Sequence, residues 1–352
     1  MRKPSCWKQV TAIDYKCYQF VMTVPKLPET TLLDKANDLP LLKRTEDWAK
    51  INSGTTNLDG LKTVAGYLAD AFSALPGDIE LVDSDPVEAV RSDGSIDEVE
   101  RGQHLVGIIR PDAPVRILLT GHMDTVFPAD HPFQNLEWIE EGVLNGPGVA
   151  DMKGGLSVML GALQLLEQSE QASRIGYDIM INSDEEVGSG GSGNFSIIFT
   201  GKSAHAGRNP DEGRNAIVAA ADMALQLKAL HRQGLSVNPA KIEGGGPNNA
   251  VPDHAILRVN FRPKSLADQE EAQNTLDNLV AIIARGHDLD VHCHGGFGRP
   301  PKPIDPQAQK LFHLVKSCGA DLGLDIGWHG TGGVCDGNNI AACGVPGVDT
   351  MG

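Results

Sequence analysis

The chain contains no apolar run approaching the roughly 20 residues needed to cross a bilayer, so an integral membrane protein is not expected. It also lacks a readable secretion signal. Arg2 and Lys3 open the chain, but Lys8, Asp14 and Lys16 interrupt the stretch that would have to be apolar. Basic residues are in short supply: 30 Lys and Arg stand against 46 Asp and Glu, a formal net charge of -16, and no basic run offsets it. Nucleic acid and anionic membrane are therefore not expected as partners. Cysteine is scarce, six residues (Cys6, Cys17, Cys293, Cys318, Cys335, Cys343) with no CxxC pair. A disulfide framework is excluded, and reduced thiols in a cytoplasmic protein are the expectation.

What is present is globular composition, 41% hydrophobic and 22% charged over 352 residues, a length that predicts two domains. Leu58, Leu61, Ala65, Leu68, Phe72 and Leu75 recur at helical spacing after Thr55, Thr56 and Asn57 and stop at Pro76-Gly77. Apolar, β-branched runs follow at His104 to Ile109, Val115 to Thr120 and Ile175 to Asn182, the last after a helical stretch from Leu156 to Leu166. Strands alternating with helices predict an α/β fold with a mostly parallel sheet. Ligands of such sheets bind at the carboxyl ends of the strands.

From Asn194 the rhythm changes to strand (Phe195 to Thr200), helix (Asn215 to His231), two strands (Leu235 to Ile242, Ala255 to Arg262), helix (Asp268 to Arg285) and strand (Leu289 to His294). This β-α-β-β-α-β order predicts a ferredoxin-like α+β unit. The Pro-rich stretch Arg299 to Pro306 reads as a linker, and a helix from Gln307 to Leu322 returns the chain to the first domain, so the small unit is an insertion.

Three clusters could carry chemistry. His122 and Asp124 follow the second strand; two apart in extended chain they face the same way, so Asp124 could orient a metal-binding imidazole. Asp151 lies in the glycine-rich stretch Asn145 to Gly155 before a helix, where a helix cap is the plainer use. Asp184, Glu185 and Glu186 crowd the end of the third strand, a costly arrangement unless a cation or solvent screens it. Singly, each has an ordinary explanation as a loop, cap or solvated turn. Together they supply one imidazole and several carboxylates to one sheet edge, a donor set suited to zinc.

The segments GHMDTV, NGPGVADMKGG and DEEVGS, in this order and spacing, resemble the M20 metallopeptidase family. The nearest likeness is to its carboxypeptidase G2-like branch, related to acetylornithine deacetylase and succinyl-diaminopimelate desuccinylase. GKSAHAG, GGGPNNAVPD and LRVNFRP resemble that family's lid and dimerisation domain, and TGGVCDGNN is a further match. The resemblance implies a catalytic domain at 27–192 and 301–352 with a lid at 193–300; residues 1–26 are unassigned. It implies that His122, Asp151 and Glu186 ligate zinc, two ions per protomer, with Asp151 bridging and Asp124 orienting His122. Glu185 would be the general base toward metal-activated water, His205 would stabilise the oxyanion across a homodimer, and Asn249 and Arg262 would hold the substrate. The implied reaction is cleavage of an amide or peptide bond next to a free carboxylate, in a small peptide or N-acyl amino acid.

Two departures stand out. Gly188 to Gly193 reads GSGGSG, a linker-like run, where the family pattern continues through further helix and strand that include one acidic zinc ligand. A zinc-ligating His of the pattern would fall beyond Gly352. The alternative expectation is thus a catalytically impaired homologue that dimerises or binds a ligand. Weaker signals are set aside: His292, Cys293 and His294 alternate faces in a strand, and Cys335 has no adjacent His to activate it, so both read as structural.

Overall fold

The structure, a computed structural model, describes residues 27–187, 193–329 and 333–349. The unassigned start, most of the GSGGSG run, and Thr331 and Gly332 of the TGGVCDGNN stretch lie outside the described residues.

The first part of the chain forms α1 (Leu27–Lys35), α2 (Leu41–Ala49), α3 (Leu58–Phe72), β1 (Asp78–Val82), the hairpin β2 (Val87–Val90) and β3 (Ile96–Val99), β4 (His104–Ile109), β5 (Val115–His122), the hairpin β6 (Glu137–Glu140) and β7 (Val143–Asn145), α4 (Gly154–Leu166) and β8 (Ile175–Asn182). The second unit runs β9 (Gly193–Thr200), β10 (Ala204–His205), α5 (Ala216–Ala229), β11 (Leu235–Gly244), β12 (Ala250–Val251), β13 (His254–Pro263), α6 (Leu266–His287) and β14 (Asp290–Gly296). α7 (Pro306–Asp321) and α8 (Asp336–Ala342) follow.

The first sheet is four-stranded in the order β1-β4-β8-β5. It is mixed, which corrects the expectation of a mostly parallel sheet: β5 pairs parallel with β8, whereas β4 is antiparallel to both β8 and β1. The cause lies in the connections. Only about five residues separate β4 from β5, too few for a helical crossover, so the chain reverses and β8 enters between them. The one parallel pair matters most, because its register sets His122 opposite Asn182. The carboxyl ends of β5 and β8 therefore open on the same edge.

One face of this sheet is packed. Tyr177, Ile179 and Ile181 of β8 and Leu105 and Ile109 of β4 meet Leu61, Val64, Leu68 and Phe72 of α3 and Leu156, Leu160 and Leu163 of α4. Helical spacing and strand alternation select these positions, and each fully buried side chain contributes about 1.5–3 kcal/mol. Asn57 caps α3, its side chain accepting from the Gly60 N–H. Residues Val149–Leu166 are long and apolar enough to cross a membrane by length and composition; in this fold Leu156, Leu160 and Leu163 enter the same core while Val158 is exposed.

The second sheet has the order β11-β13-β9-β14 and is antiparallel throughout. Together with α5 and α6 it forms the βαββαβ unit that the strand and helix rhythm predicts. Phe195, Ile197 and Phe199 alternate toward the helices and meet Leu257, Val259 and Phe261, with Met223 and Leu227 of α5 and Leu276 and Ile283 of α6. The opposite face carries Ser196, Arg258, Asn260 and Arg262 beside the buried Ile198 and Ile256. There Arg258 bonds Ser196 Oγ at 2.7 Å and reaches the Val90 carbonyl of the β2–β3 hairpin at 2.9 Å, tying the two units together.

Candidate metal centre

His122 ends β5 and is 6% exposed. Its Nδ1 lies 3.1 Å from the Asp124 carbonyl and 3.3 Å from Asp124 Oδ1, and its Nε2 lies 3.0 Å from Asp151 Oδ1. Both ring nitrogens are thus engaged, Nδ1 by Asp124 and Nε2 by Asp151. Asp124 is fully buried and does more than that. Its carboxylate accepts from the Thr55 hydroxyl at 2.6 Å and from the Glu185 and Glu186 N–H groups at 3.1 Å each. One carboxylate therefore fixes the ends of both β5 and β8.

Asp151 is not a helix cap. Residues Val149–Lys153 form a wide turn ahead of α4 in which Asp151 is non-helical (φ -129, ψ 94), and its side chain turns to His122. Gly148 enters this turn at φ +70, where a side chain would strain the backbone. Its carbonyl accepts from the Lys153 N–H at 2.8 Å, which closes the turn.

The three adjacent acids separate by partner. Asp184 faces Arg101 at 3.8 Å, and Glu185 pairs with Arg299 at 2.8 Å. Glu186 has no Lys or Arg partner among the described residues. It lies instead with His122 and Asp151, one donor atom from each within 4.8 Å of the others.

The electrostatics follow. Burial works against charge on His122, but its bonds to Asp124 and Asp151 and the charges of Asp124 and Glu185 outweigh it and hold the imidazole up at about 10. The His122 bond pulls Asp151 below the ordinary carboxylate range. Burial pushes Glu186 up to about 7, with His122 opposing and Asp151, Asp124 and Glu185 adding repulsion. Burial likewise raises Glu185 against the pull of Arg299 and His122. A carboxylate raised by burial and by its acidic neighbours, one imidazole and a second carboxylate form a donor set that fits a divalent cation; nitrogen and oxygen donors in this number suit zinc.

The remaining sequence candidates lie on the second unit. His205 on β10 pairs with Ala250 of β12, is exposed, and accepts at Nδ1 from the Gly207 N–H at 3.1 Å. Asn249 is its neighbour, since its carbonyl accepts from the Ala206 N–H at 2.9 Å. Arg262 sits on the face of β13 that carries Arg258, its Nε 3.0 Å from Asn260 Oδ1. The fold thus unites His122, Asp124, Asp151, Glu185 and Glu186 but keeps His205 and Asn249 as a separate pair. Cys335 caps α8; burial and the Asp349 charge raise its thiol, the opposite of what a nucleophile needs.

Sequence reasoning passed over Thr55, Arg299 and Asp336. Thr55 reads as one more capping residue, Arg299 as the start of a proline-rich linker, and Asp336 as part of a glycine-rich match. Only the fold carries them to Asp124 and Glu185.

Residues 187–288 match the family described as Peptidase dimerisation domain (M20_dimer), and residues 104–224 match Peptidase family M28. Carboxypeptidase G2 of Pseudomonas sp. (strain RS-16) is 27% identical over 89% of this chain and 81% of its own length. A p-aminobenzoyl-glutamate hydrolase component from Escherichia coli (strain K12) is 43% identical over a segment covering 20% of this chain and 17% of that protein. The structure of an aminobenzoyl-glutamate utilization protein from Klebsiella pneumoniae superimposes with a TM-score of 0.66 at 17% identity, covering 90% of each chain. Fold and relatives define a metallopeptidase or amidohydrolase. The chain is similar to M20 family peptidases in its dimerisation-domain match, its relatives and its fold.

Proposed function

We propose that this protein is a zinc-dependent hydrolase that cleaves an amide bond beside a free carboxylate, in an acyl-glutamate or similar N-acyl amino acid. The observation that carries this reading is the convergence of His122, Asp151 and Glu186 within 4.8 Å, directly beside Glu185. These three residues would hold the ion. When bound, it supplies Lewis acidity toward water and the scissile carbonyl. Glu185, adjacent in sequence yet outside the donor set, takes the proton from the attacking water and returns it to the leaving amine. Asp124 keeps His122 in the tautomer and orientation that ligation requires.

In this reading residues 27–192 and 301–352 form the catalytic part and 193–300 the lid. His205 steadies the oxyanion from the partner in a homodimer. Asn249 and Arg262 hold the substrate, the arginine by a charge-assisted fork to its carboxylate. The substrate class draws on the Escherichia coli relative, whose name states that it hydrolyses p-aminobenzoyl-glutamate.

The described residues offer one grouped donor set. That favours a second reading on stoichiometry, one ion held by His122, Asp151 and Glu186 rather than two. Zinc titration against hydrolysis of p-aminobenzoyl-glutamate tests both. Activity saturating at one equivalent supports the single site, and at two the bridged pair. Glu185→Gln should bind zinc normally and lose about 10²- to 10⁴-fold in rate. Full activity in that variant would overturn the mechanism, and zinc binding without turnover would favour the impaired homologue.

A further inference from the structure

We infer that Arg299 is a positioning residue that decides which of two adjacent glutamates ligates the ion and which is left to move protons; this rests on the reading of Glu185 as the base. Arg299 lies just past β14 on the segment returning from the lid and is 4% exposed. Its Nη1 pairs with Glu185 Oε1 at 2.8 Å, and its Nη2 donates to the Glu185 carbonyl at 3.1 Å. Nη2 also donates to Asp336 Oδ1 at 3.1 Å, and the other Asp336 oxygen accepts from the Asn182 side chain at the end of β8. Asn338, in the first turn of α8, donates to the Pro300 carbonyl at 2.8 Å and holds the backbone next to the arginine in place.

Glu185 is therefore gripped at three points: its N–H by Asp124, and its carbonyl and Oε1 by Arg299. Its Oε2 has no partner among the described residues and is the oxygen free to accept a proton. Glu186, one residue on, has no such clamp and falls into the donor set. A substrate-binding role fits poorly, because the guanidinium is buried and both its Nη atoms are already engaged by Glu185 and Asp336. The linker also makes the clamp a joint between lid and base, since the chain leaves β14 only a few residues earlier.

The test uses the full chain with zinc(II) and p-aminobenzoyl-glutamate, in Arg299→Ala and, in case that variant folds poorly, Arg299→Lys. A misplaced base predicts a kcat loss on the order of 10²-fold with KM nearly unchanged. Zinc affinity should be equal or tighter, because a released Glu185 can join the ligands. Added guanidinium should restore part of the rate in Arg299→Ala but none in Glu185→Gln. A raised KM at constant kcat would make Arg299 a substrate contact and overturn the inference. Parallel loss of zinc and rate would overturn it too, as would an unaffected kcat. If the unmutated chain hydrolyses nothing, the proposed function fails alone, and backbone amide exchange decides the clamp. Faster exchange confined to residues 183–187 in Arg299→Ala supports it; unchanged exchange there rejects it.

Discussion

The second sheet pairs its strands in one antiparallel run and sends phenylalanines, leucines and isoleucines to a single closed core under α5 and α6. The first sheet is mixed and buries one face well, while Ile108 (50% exposed) and Leu118 (42% exposed) look outward on the other and Ile117 is 44% exposed on β5 at the edge. The same sheet carries a buried aspartate, a buried histidine and three consecutive acids at the ends of its parallel pair. The contrast separates two duties. The second unit is built from burial, so its stability lies in packing. The first unit gives up part of its packing to hold like charges together, so more of its stability lies in hydrogen bonds and in whatever neutralises those charges.

The comparison breaks most readily at matched apolar truncations. Phe261→Ala removes a ring that is fully buried and stacked edge-on against Phe195 and Phe297, and should cost about 3–5 kcal/mol. Ile117→Ala, half exposed at a sheet edge, should cost under about 1 kcal/mol. Urea unfolding of both variants without metal measures the difference. Equal losses would mean that the exposed edge of β5 is covered in solution.

The next largest effect concerns charge. On the proposed reading, ligation requires His122, held up at about 10, and Glu186, pushed up to about 7, both to give up their protons. Below about pH 7 binding should release two protons, and between about 7 and 10 one, so affinity should rise ~100-fold and then ~10-fold per pH unit. Calorimetry in buffers of different ionisation enthalpy counts the protons. A pH-independent affinity would remove these residues from the donor set.

How much of this was legible in the sequence follows from the same division. Period-two and period-3.6 patterns marked β4, β5, β8, the strands of the second sheet and the long helices, because burial on one face imposes those periods. The mixed sense of the first sheet escaped, since periodicity says nothing about strand direction. The short hairpins β2–β3 and β6–β7 escaped as well, being exposed and weakly patterned. Within the site, His122, Asp124, Asp151, Glu185 and Glu186 were readable because each lies at a strand end or ahead of a helix. Arg299 and Asp336 were not, because their relation to Glu185 spans 114 residues in one case and passes through the other. Thr55 gave only a capping signal, although its hydroxyl serves a carboxylate 69 positions away.

The smallest predicted effect sharpens the claim that the first unit depends on polar ties. Glu167, just past α4, accepts from Arg110 Nη1 at 3.0 Å at the end of β4 and from the Tyr177 hydroxyl at 2.8 Å on β8, so it joins helix to sheet. Burial raises its carboxyl, but the bonds from Arg110 and Tyr177 outweigh this and leave it below its ordinary value. A carboxylate depressed on folding contributes stability that is fully present above its unfolded pKa, about 4.5, and is lost as pH falls through the lower folded value. Glu167→Gln should therefore cost about 1–2 kcal/mol at pH 7 and progressively less below about pH 4.5, as the parent loses the same tie. Paired acid-unfolding curves of parent and variant should converge at the acid end. Curves separated by a constant amount throughout would show that Glu167 acts through its shape rather than its charge.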